Sequence, residues 1–322
     1  MRMTASRKIF IALFLLFCTL CGVQAQGFLL VELNCENLFD TRHDEGKQDE
    51  EFLPEGGRHW SRTKYWRKLN HTGQTILSCA NELPDLVALC EVENDTVLHD
   101  LTRRSLLRNA GYEYLATQSP DVRGLDVALL YRPAAFRPIC YESIGVPTIE
   151  DMHPTRDILY IKGETLRGDT LHLFVIHAPS RYGGELESRP FRLQVASLLA
   201  QHVKPVSSGQ VIVAGDFNDY DDSPALLELE KLGLVNITKD ICGKNGIAHG
   251  TYRYQGAWRS LDHVLVSSTL QSRVAVATIN DAPFLLEPDP RYGGKRPKRT
   301  FQGFKYQRDG FSDHLPLVVR FE

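Results

Sequence analysis

Short apolar runs in this chain end repeatedly on polar side chains fit for chemistry: Asn34, Glu91, His177, Asp216 with Asn218, and the Ser312-Asp313-His314 triplet just ahead of Leu315. Apolar runs bounded by turn signals are strand candidates, so the polar groups at their ends are carried to the rim of a sheet. Open sheets hold their ligands at that rim. Acids, amides and two imidazoles gathered there suit oxygen ligation of a hard cation and attack of water on phosphorus.

Each of these residues also has a plainer role open to it. Glu91 is a cation ligand, or an acid flanking the turn before a helix at Val97, although Asn94 and Asp95 are better placed for that duty. In Gly215-Asp216-Phe217-Asn218-Asp219 the Asp-x-Asn spacing points two polar side chains the same way with Phe217 inward; Asp and Asn beside Gly are also ordinary turn chemistry. Asn34 serves a site or satisfies a loop backbone. Of the eleven histidines, His177 and His314 stand at strand ends and are the catalytic candidates, while His263 reads as a strand residue. An imidazole needs a carboxylate to fix its tautomer and raise its basicity, and Asp262 is the candidate. Other hydrolase schemes lack their signatures: there is no G-x-S-x-G elbow, no H-E-x-x-H and no P-loop.

The elements that must position these groups follow from periodicity. Strands are expected at 28–34, 86–90, 112–115, 126–131, 158–163, 171–176, 211–214, 261–266, 274–279 and 315–321. Helices are expected at 64–80, 97–107, from Ser188-Pro190 to about 203, and from Ser223-Pro224 through 232. Arg167-Gly168-Asp169 marks a hairpin. Residues 43–58, with six acids, read as a solvated loop, and 288–310 as a Gly- and Arg-rich loop. Strands and helices in this order fit mixed sheets covered by helices.

With 322 residues, 43% hydrophobic and 24% charged, the chain can bury a full core as one large domain or two small ones, and no linker or internal repeat divides it. Arg2, Arg7 and Lys8 precede an apolar stretch at 9–20, and Val23-Gln24-Ala25 offers small residues for cleavage. Residues 1–25 therefore read as an export signal and 26–322 as the working domain, periplasmic or extracellular. Twelve apolar residues are too few for the ~20 of a spanning helix. Bulky Phe17 and Leu20 before Cys18 and Cys21 disfavour a lipid anchor. Loss of that leader takes three basic residues and no acid, moving the formal charge from −3 to −6, so a nucleic-acid ligand would need a local positive patch. Five cysteines would remain, an odd number without C-x-x-C spacing, and no bridge or zinc site is assigned.

In this order, Asn34, Glu91, His177, Asp216 with Asn218, Asp262 and Ser312-Asp313-His314 resemble the endonuclease/exonuclease/phosphatase superfamily, over essentially all of the mature chain. The resemblance implies a DNase I-like four-layer α/β sandwich, two mixed sheets packed face to face with helices outside. It implies hydrolysis of phosphodiesters or phosphomonoesters with Mg²⁺ or Mn²⁺, Glu91 being the principal ligand with Asn34 and Asp313 at or near the metal. Asp262 would orient His314, which acts as acid/base or phosphate contact. Asp216 would position or deprotonate the attacking water, and Asn218 would hydrogen-bond a phosphate oxygen. A His at position 177 resembles the DNase I and phosphodiesterase branches; Ser180 stands where repair enzymes of the family tend to have Asn. Asp126 is the nearest acid in pattern to orient His177. Arg291, Lys295, Arg296, Lys298 and Arg299 form a cationic run that grips substrate phosphates or is simply solvated, and Arg181 is a second phosphate contact. The expected partner is a phosphoester, nucleic acid among the candidates, with no protein partner indicated. Inositol-phosphate and phospholipid phosphodiesterases, monoesterases of this fold and a non-catalytic binding protein are the rivals.

Overall fold

The computed structural model describes residues 27–322; the expected leader and its cleavage point lie outside the described residues. β1 (Phe28–Leu38) alternates Leu29, Val31 and Leu33 on one face with Leu30, Glu32 and Asn34 on the other, and both rows are buried. A strand covered on both faces needs a layer on each side. On one side α1 (Arg62–Leu77) brings Tyr65, Leu69 and Ile76 against Leu29, Val31 and Leu33. On the other, Leu30 meets a second sheet.

β1 pairs in parallel with β2 (Leu86–Val92), after which come α2 (Asp95–Arg103), β3 (Glu113–Ala116) and β4 (Asp126–Tyr131). β5 (Phe136–Ile144), β6 (Ile158–Thr165) and β7 (Thr170–His177) run antiparallel, and α3 (Glu185–Val203) crosses over to β8 (Gln210–Asp216), parallel to β7. α4 (Pro224–Glu230), β9 (Leu234–Asn236), the β10 (Tyr252–Tyr254) and β11 (Ala257–Arg259) hairpin, β12 (Asp262–Ser267), α5 (Ser268–Gln271) and β13 (Val274–Ile279) follow. Two small hairpins, β14 (Leu286–Pro288) with β15 (Lys295–Pro297) and β16 (Phe301–Gln302) with β17 (Lys305–Tyr306), precede β18 (Leu317–Phe321).

The first six-stranded sheet has the order β13-β18-β1-β2-β4-β3 and the second β5-β6-β7-β8-β12-β9. Leu30, Ala88, Leu129 and Leu317 of the first interleave with Leu173, Val175, Ile212 and Val264 of the second. Outside the second sheet, Val195, Leu199 and Val203 of α3 cover Phe174, Ile176, Val211 and Val213. The fold is thus the expected four-layer α/β sandwich of two mixed sheets.

Several local expectations are corrected. Helix α3 starts at Glu185, ahead of Ser188-Pro190, because Gly184 (φ 129°) caps it and Glu185 pairs with Arg189 one turn on, at 2.9 and 2.8 Å. β5 escaped the periodicity because it is an edge strand with Pro138 and a row of exposed residues, where propensity says little. The acidic excursion at 43–58 is pinned, not merely solvated: Phe52 stacks on Phe39 at 4.2 Å and meets Trp60 edge-on at 6.1 Å. The loop at 288–310 is mostly the two small hairpins. No helix among the described residues is long and apolar enough to cross a membrane.

Candidate active site

One row of the second sheet supplies three functional side chains. β7 and β8 run with His177 opposite Asp216, and β12 runs against β8 with Asp262 opposite Asp216. Side chains paired across strands share a face, and this face looks into the sandwich. Gly215 permits the close approach: its φ is 146°, and a Cβ there would lie 2.0 Å from the Ile176 carbonyl oxygen. No side chain fits between the strands at that point.

The first sheet is irregular where it meets the site. The β1–β2 register shifts between Asn34 and Leu38, and the β2–β4 register between Cys90 and Val92. At these bulges Glu36 (φ 53°), Asn37 (φ 56°) and Glu91 (φ 60°) adopt left-handed backbone, a conformation costing about 1–3 kcal/mol for a non-glycine residue. Bulges re-aim side chains. Here they turn Glu91 into a cavity, where Oε2 accepts from the Asn37 N–H at 2.7 Å and Oε1 from Asn34 Nδ2 at 3.3 Å. The Asn34 amide also donates to Asp216 Oδ2 at 2.9 Å, joining the two sheets. Its oxygen accepts the Glu36 N–H at 2.9 Å, so Asn34 ties Glu91 and Asp216 to the bulge, one lone pair of that oxygen remaining.

Asp313 and His314 arrive from the segment before β18. Ser312 docks that segment by donating to the Asn34 carbonyl at 2.7 Å and accepting the His314 N–H at 3.1 Å. His314 Nδ1 lies 2.8 Å from Asp262 Oδ2, and the Thr251 hydroxyl donates to the same carboxylate. Burial alone would lower the His314 pKa, but the Asp262 charge and hydrogen bond, helped by Asp216, carry it well above the ordinary value. Nε2 of the ring is left free of Asp262. Burial and the neighbouring Asp262 charge push Asp216 up to about 7. Asn218, itself left-handed at φ 50°, donates its backbone N–H to Asp216 Oδ1 at 2.7 Å and its side chain to the Ala178 carbonyl at 3.0 Å. Phe217 between them is buried.

His177 has no carboxylate orienting it. Asp126 is spent on Thr117 and on the Ser119 N–H at 2.9 Å, because the start of β4 faces its own loop. His177 Nε2 stands 3.6 Å from Asp216 and 3.8 Å from Glu91, beyond hydrogen-bond range, and Nδ1 is buried without a partner. Burial, together with Arg156 and Arg123, holds its pKa well below the usual value. It is a neutral imidazole wedged between two acids.

These groups border one cavity of about 1220 Å³, lined among others by Glu36, Glu91, His177, Asp216, Asn218, Asp313, His314, Arg181 and Arg299. Asn34 and Asp262 stand directly behind that lining. Arg299 donates to Asp313 at 2.7 Å. Lys295 and Arg296 are absent from the lining of this cavity: they lie on the β14–β15 hairpin, where Arg296, paired with Glu287 at 2.8 Å, lines an adjoining groove with Arg291. The cationic run was gauged by density of charge, which does not reveal which cations are already partnered.

Three features escaped sequence reasoning. Glu36 lines the cavity and accepts the N–H groups of Thr300 and Phe301 at 2.5 and 3.3 Å; burial and Asp313 raise it to about 7. Its spacing two residues from Asn34 was the available signal. Lys68, wholly buried in α1, donates to Thr300 Oγ1 at 2.6 Å and to the Phe311 carbonyl, clasping both ends of the segment that bears Arg299 and leads to Asp313. Glu32 lies below Asn34 with neither carboxylate oxygen partnered; burial, Asp262 and Asp216 push its pKa well above the ordinary carboxylate value.

Among the described residues, the tightest set of metal-capable atoms is Asp216, Asp262 and His314, all within 4.8 Å of one another. Asp262 there is already engaged by His314 and Thr251, so this set reads as a dyad with a neighbouring base. The other carboxylates lining the cavity are those of Glu91, Glu36 and Asp313, each hydrogen-bonded by the protein but with lone pairs left for a hard cation.

Solved structures share this architecture. An endonuclease/exonuclease/phosphatase family protein from Bacteroides thetaiotaomicron superposes with a TM-score of 0.62 at 15% identity, over 92% of this chain and 98% of that one. The mannosyl-6-phosphatase of the same organism gives 0.58 at 15%, over 91% and 98%. D. rerio TDP2 complexed with single strand DNA product gives 0.54 at 17%, over 92% and 99%. No curated protein sequence matches the chain significantly. Residues 30–322 match the Endonuclease/Exonuclease/phosphatase family, a span that takes in every element of both sheets except the first two residues of β1. The chain therefore belongs to that family.

Proposed function

We propose that this protein is an exported, divalent-metal-dependent phosphoester hydrolase that acts on diesters, nucleic acid included, by directing water onto phosphorus. The observation that carries the reading is the unbroken link Glu91–Asn34–Asp216 beside the His314–Asp262 pair in one cavity, with contributions from both sheets. The donor set fits Mg²⁺ or Mn²⁺: Glu91, with Glu36 and Asp313, would hold the ion through oxygens. When bound it would polarise a phosphoryl oxygen and offset charge in the transition state.

The chain's own groups supply the rest. Asp216, raised to about 7, is poised to take a proton from water at neutral pH. Asn218 lines the cavity; its amide donates to the Ala178 carbonyl at 3.0 Å and to Asp216 Oδ2 at 3.3 Å, and the second, longer bond would be exchanged for a phosphate oxygen as charge develops. His314, protonated and held at Nδ1 by Asp262, offers Nε2 to a phosphate oxygen or the leaving group. Neutral His177 fills the space between Asp216 and Glu91 without adding charge.

Room beyond the phosphorus favours a diester. A neighbouring groove of about 390 Å³ shares Tyr252, Tyr254, Arg299 and Asp313 with the main cavity, so a substrate can continue past the scissile group. The structural relatives include both a sugar phosphatase and a protein bound to single-stranded DNA, so fold alone does not choose. The leader pattern supports scavenging outside the cytoplasm.

The test is a panel of chromogenic diester and monoester, duplex and single-stranded DNA, RNA, inositol phosphates and sphingomyelin, each with Mg²⁺, Mn²⁺ or chelator. Metal-dependent turnover, faster on diesters and lost in Asp216→Ala and His314→Ala, is the expected result. Turnover indifferent to both substitutions would overturn the assigned chemistry, and none with any metal would favour a binding protein.

A further inference from the structure

Arg181, Tyr220 and Arg259 come from three separate segments: the turn after β7, the turn after β8, and β11. The Arg181 guanidinium lies 4.3 Å from the centre of the Tyr220 ring and that of Arg259 4.9 Å, both within cation–π range. Arg181 and Tyr220 both line the cavity. The other arginines bordering it each hold at least one partner: Arg156 with Asp121 at 3.1 Å, Arg299 with Asp313 at 2.7 Å, Arg123 with Asn37 at 3.3 Å and Arg58 with Glu51 at 3.1 Å. Among the described residues, Arg181 alone of this group has no side-chain hydrogen bond or ion pair, and its Nη1 is buried without a partner. A guanidinium with its planar fork unused is a ready receiver for a phosphate.

The framework beneath is rigid. Buried Arg192 of α3 binds Asp219 at 3.0 Å and Ser188 at 2.8 Å, while His263 holds the Asp219 carbonyl at 3.0 Å. The turn bearing Tyr220 is thereby tied to the helix that follows the Arg181 turn.

We infer that Tyr220 is a positioning residue: its ring, between Arg259 and Arg181, holds the Arg181 fork toward a phosphate oxygen of the substrate. The inference rests on the phosphoester reading and deepens it. Tyr220→Leu removes the ring face and is expected to raise KM about tenfold with kcat changing far less. Tyr220→Phe, which keeps the face, restores KM. Arg181→Ala matches the Leu variant, and the double variant is no worse than either single, as for residues acting as one unit. Calorimetric titration with inorganic phosphate, performed on the same proteins with Mg²⁺ present, should weaken in parallel and does not depend on turnover. Absence of hydrolysis by the parent protein defeats the proposed function, whereas hydrolysis with KM and phosphate affinity unmoved in Arg181→Ala or Tyr220→Leu defeats this inference. Equal damage from Phe and Leu at position 220 also overturns it.

Discussion

On the β7–β8–β12 side of the cavity the strands are regular, and His177, Asp216 and Asp262 stand abreast in one row. On the β1–β2 side both registers slip, and Glu36, Asn37 and Glu91 leave ordinary strand conformation. One sheet sets geometry by register alone; the other spends backbone strain to turn carboxylates into the cavity. Under the proposed function the regular side would hold groups that move protons. The bent side, steadied by buried Lys68 and by Arg299, would hold the groups that meet an ion. Substitutions in the regular row should therefore cost rate with the fold intact, and those on the bent side should cost ion affinity or stability.

The largest effect is expected at the row and the histidine facing it. Asp216→Asn and His314→Ala should each lower kcat/KM about 10³-fold; melting should stay near the parent value for Asp216→Asn, whereas His314→Ala also leaves buried Asp262 without its imidazole partner and should melt earlier. A fall in the melting temperature of Asp216→Asn matching the loss of rate would break the distinction. Next is Lys68→Met, which strands Glu36 beside Asp313 and should cost about 3 kcal/mol in urea unfolding. Pairing it with Glu36→Gln should recover part of that loss, since both buried charges then leave together. Glu91→Gln comes third. The metal concentration for half-maximal activity should rise about 10- to 100-fold, with saturating metal returning much of the rate.

The smallest effect lies outside both halves. Burial would raise the pKa of Asp281, but the N–H groups of Asn245, Ile247 and Ala248 outweigh it and hold the carboxyl below its usual range. A depressed folded pKa gives stability that is present above the unfolded value and is lost as pH falls through the folded one. Asp281→Asn should thus cost about 1–2 kcal/mol at neutral pH, with the gap closing on acidification and kcat untouched. A change in kcat would mean that this loop communicates with the cavity.

The regular row was the more legible in sequence. An apolar run that stops on His177 or Asp216 declares both strand and rim, because period-two burial leaves little choice of register. Glu91 and the Ser312-Asp313-His314 triplet were found by the same signal. The bent side was only half visible: a bulge depends on neighbouring strands, and the two-residue spacing from Asn34 was the sole hint that Glu36 turns inward. Lys68 looks like any helix cation until Thr300 and Phe311, far along the chain, are brought to it. Arg296 shows the converse limit, since density of charge is local and partnership with Glu287 is not. Asp126 failed as the orienter of His177 for the same reason.

β1 lies against β18, with Phe28 opposite Phe321 and their rings stacked at 4.5 Å. His314 stands three residues before β18 begins. A ribosome that has made all of 27–300 has made Asn34, Glu91, His177 and Asp216 but no imidazole for Asp262 to hold. Under the proposed chemistry, hydrolysis would therefore wait on delivery of the closing strand.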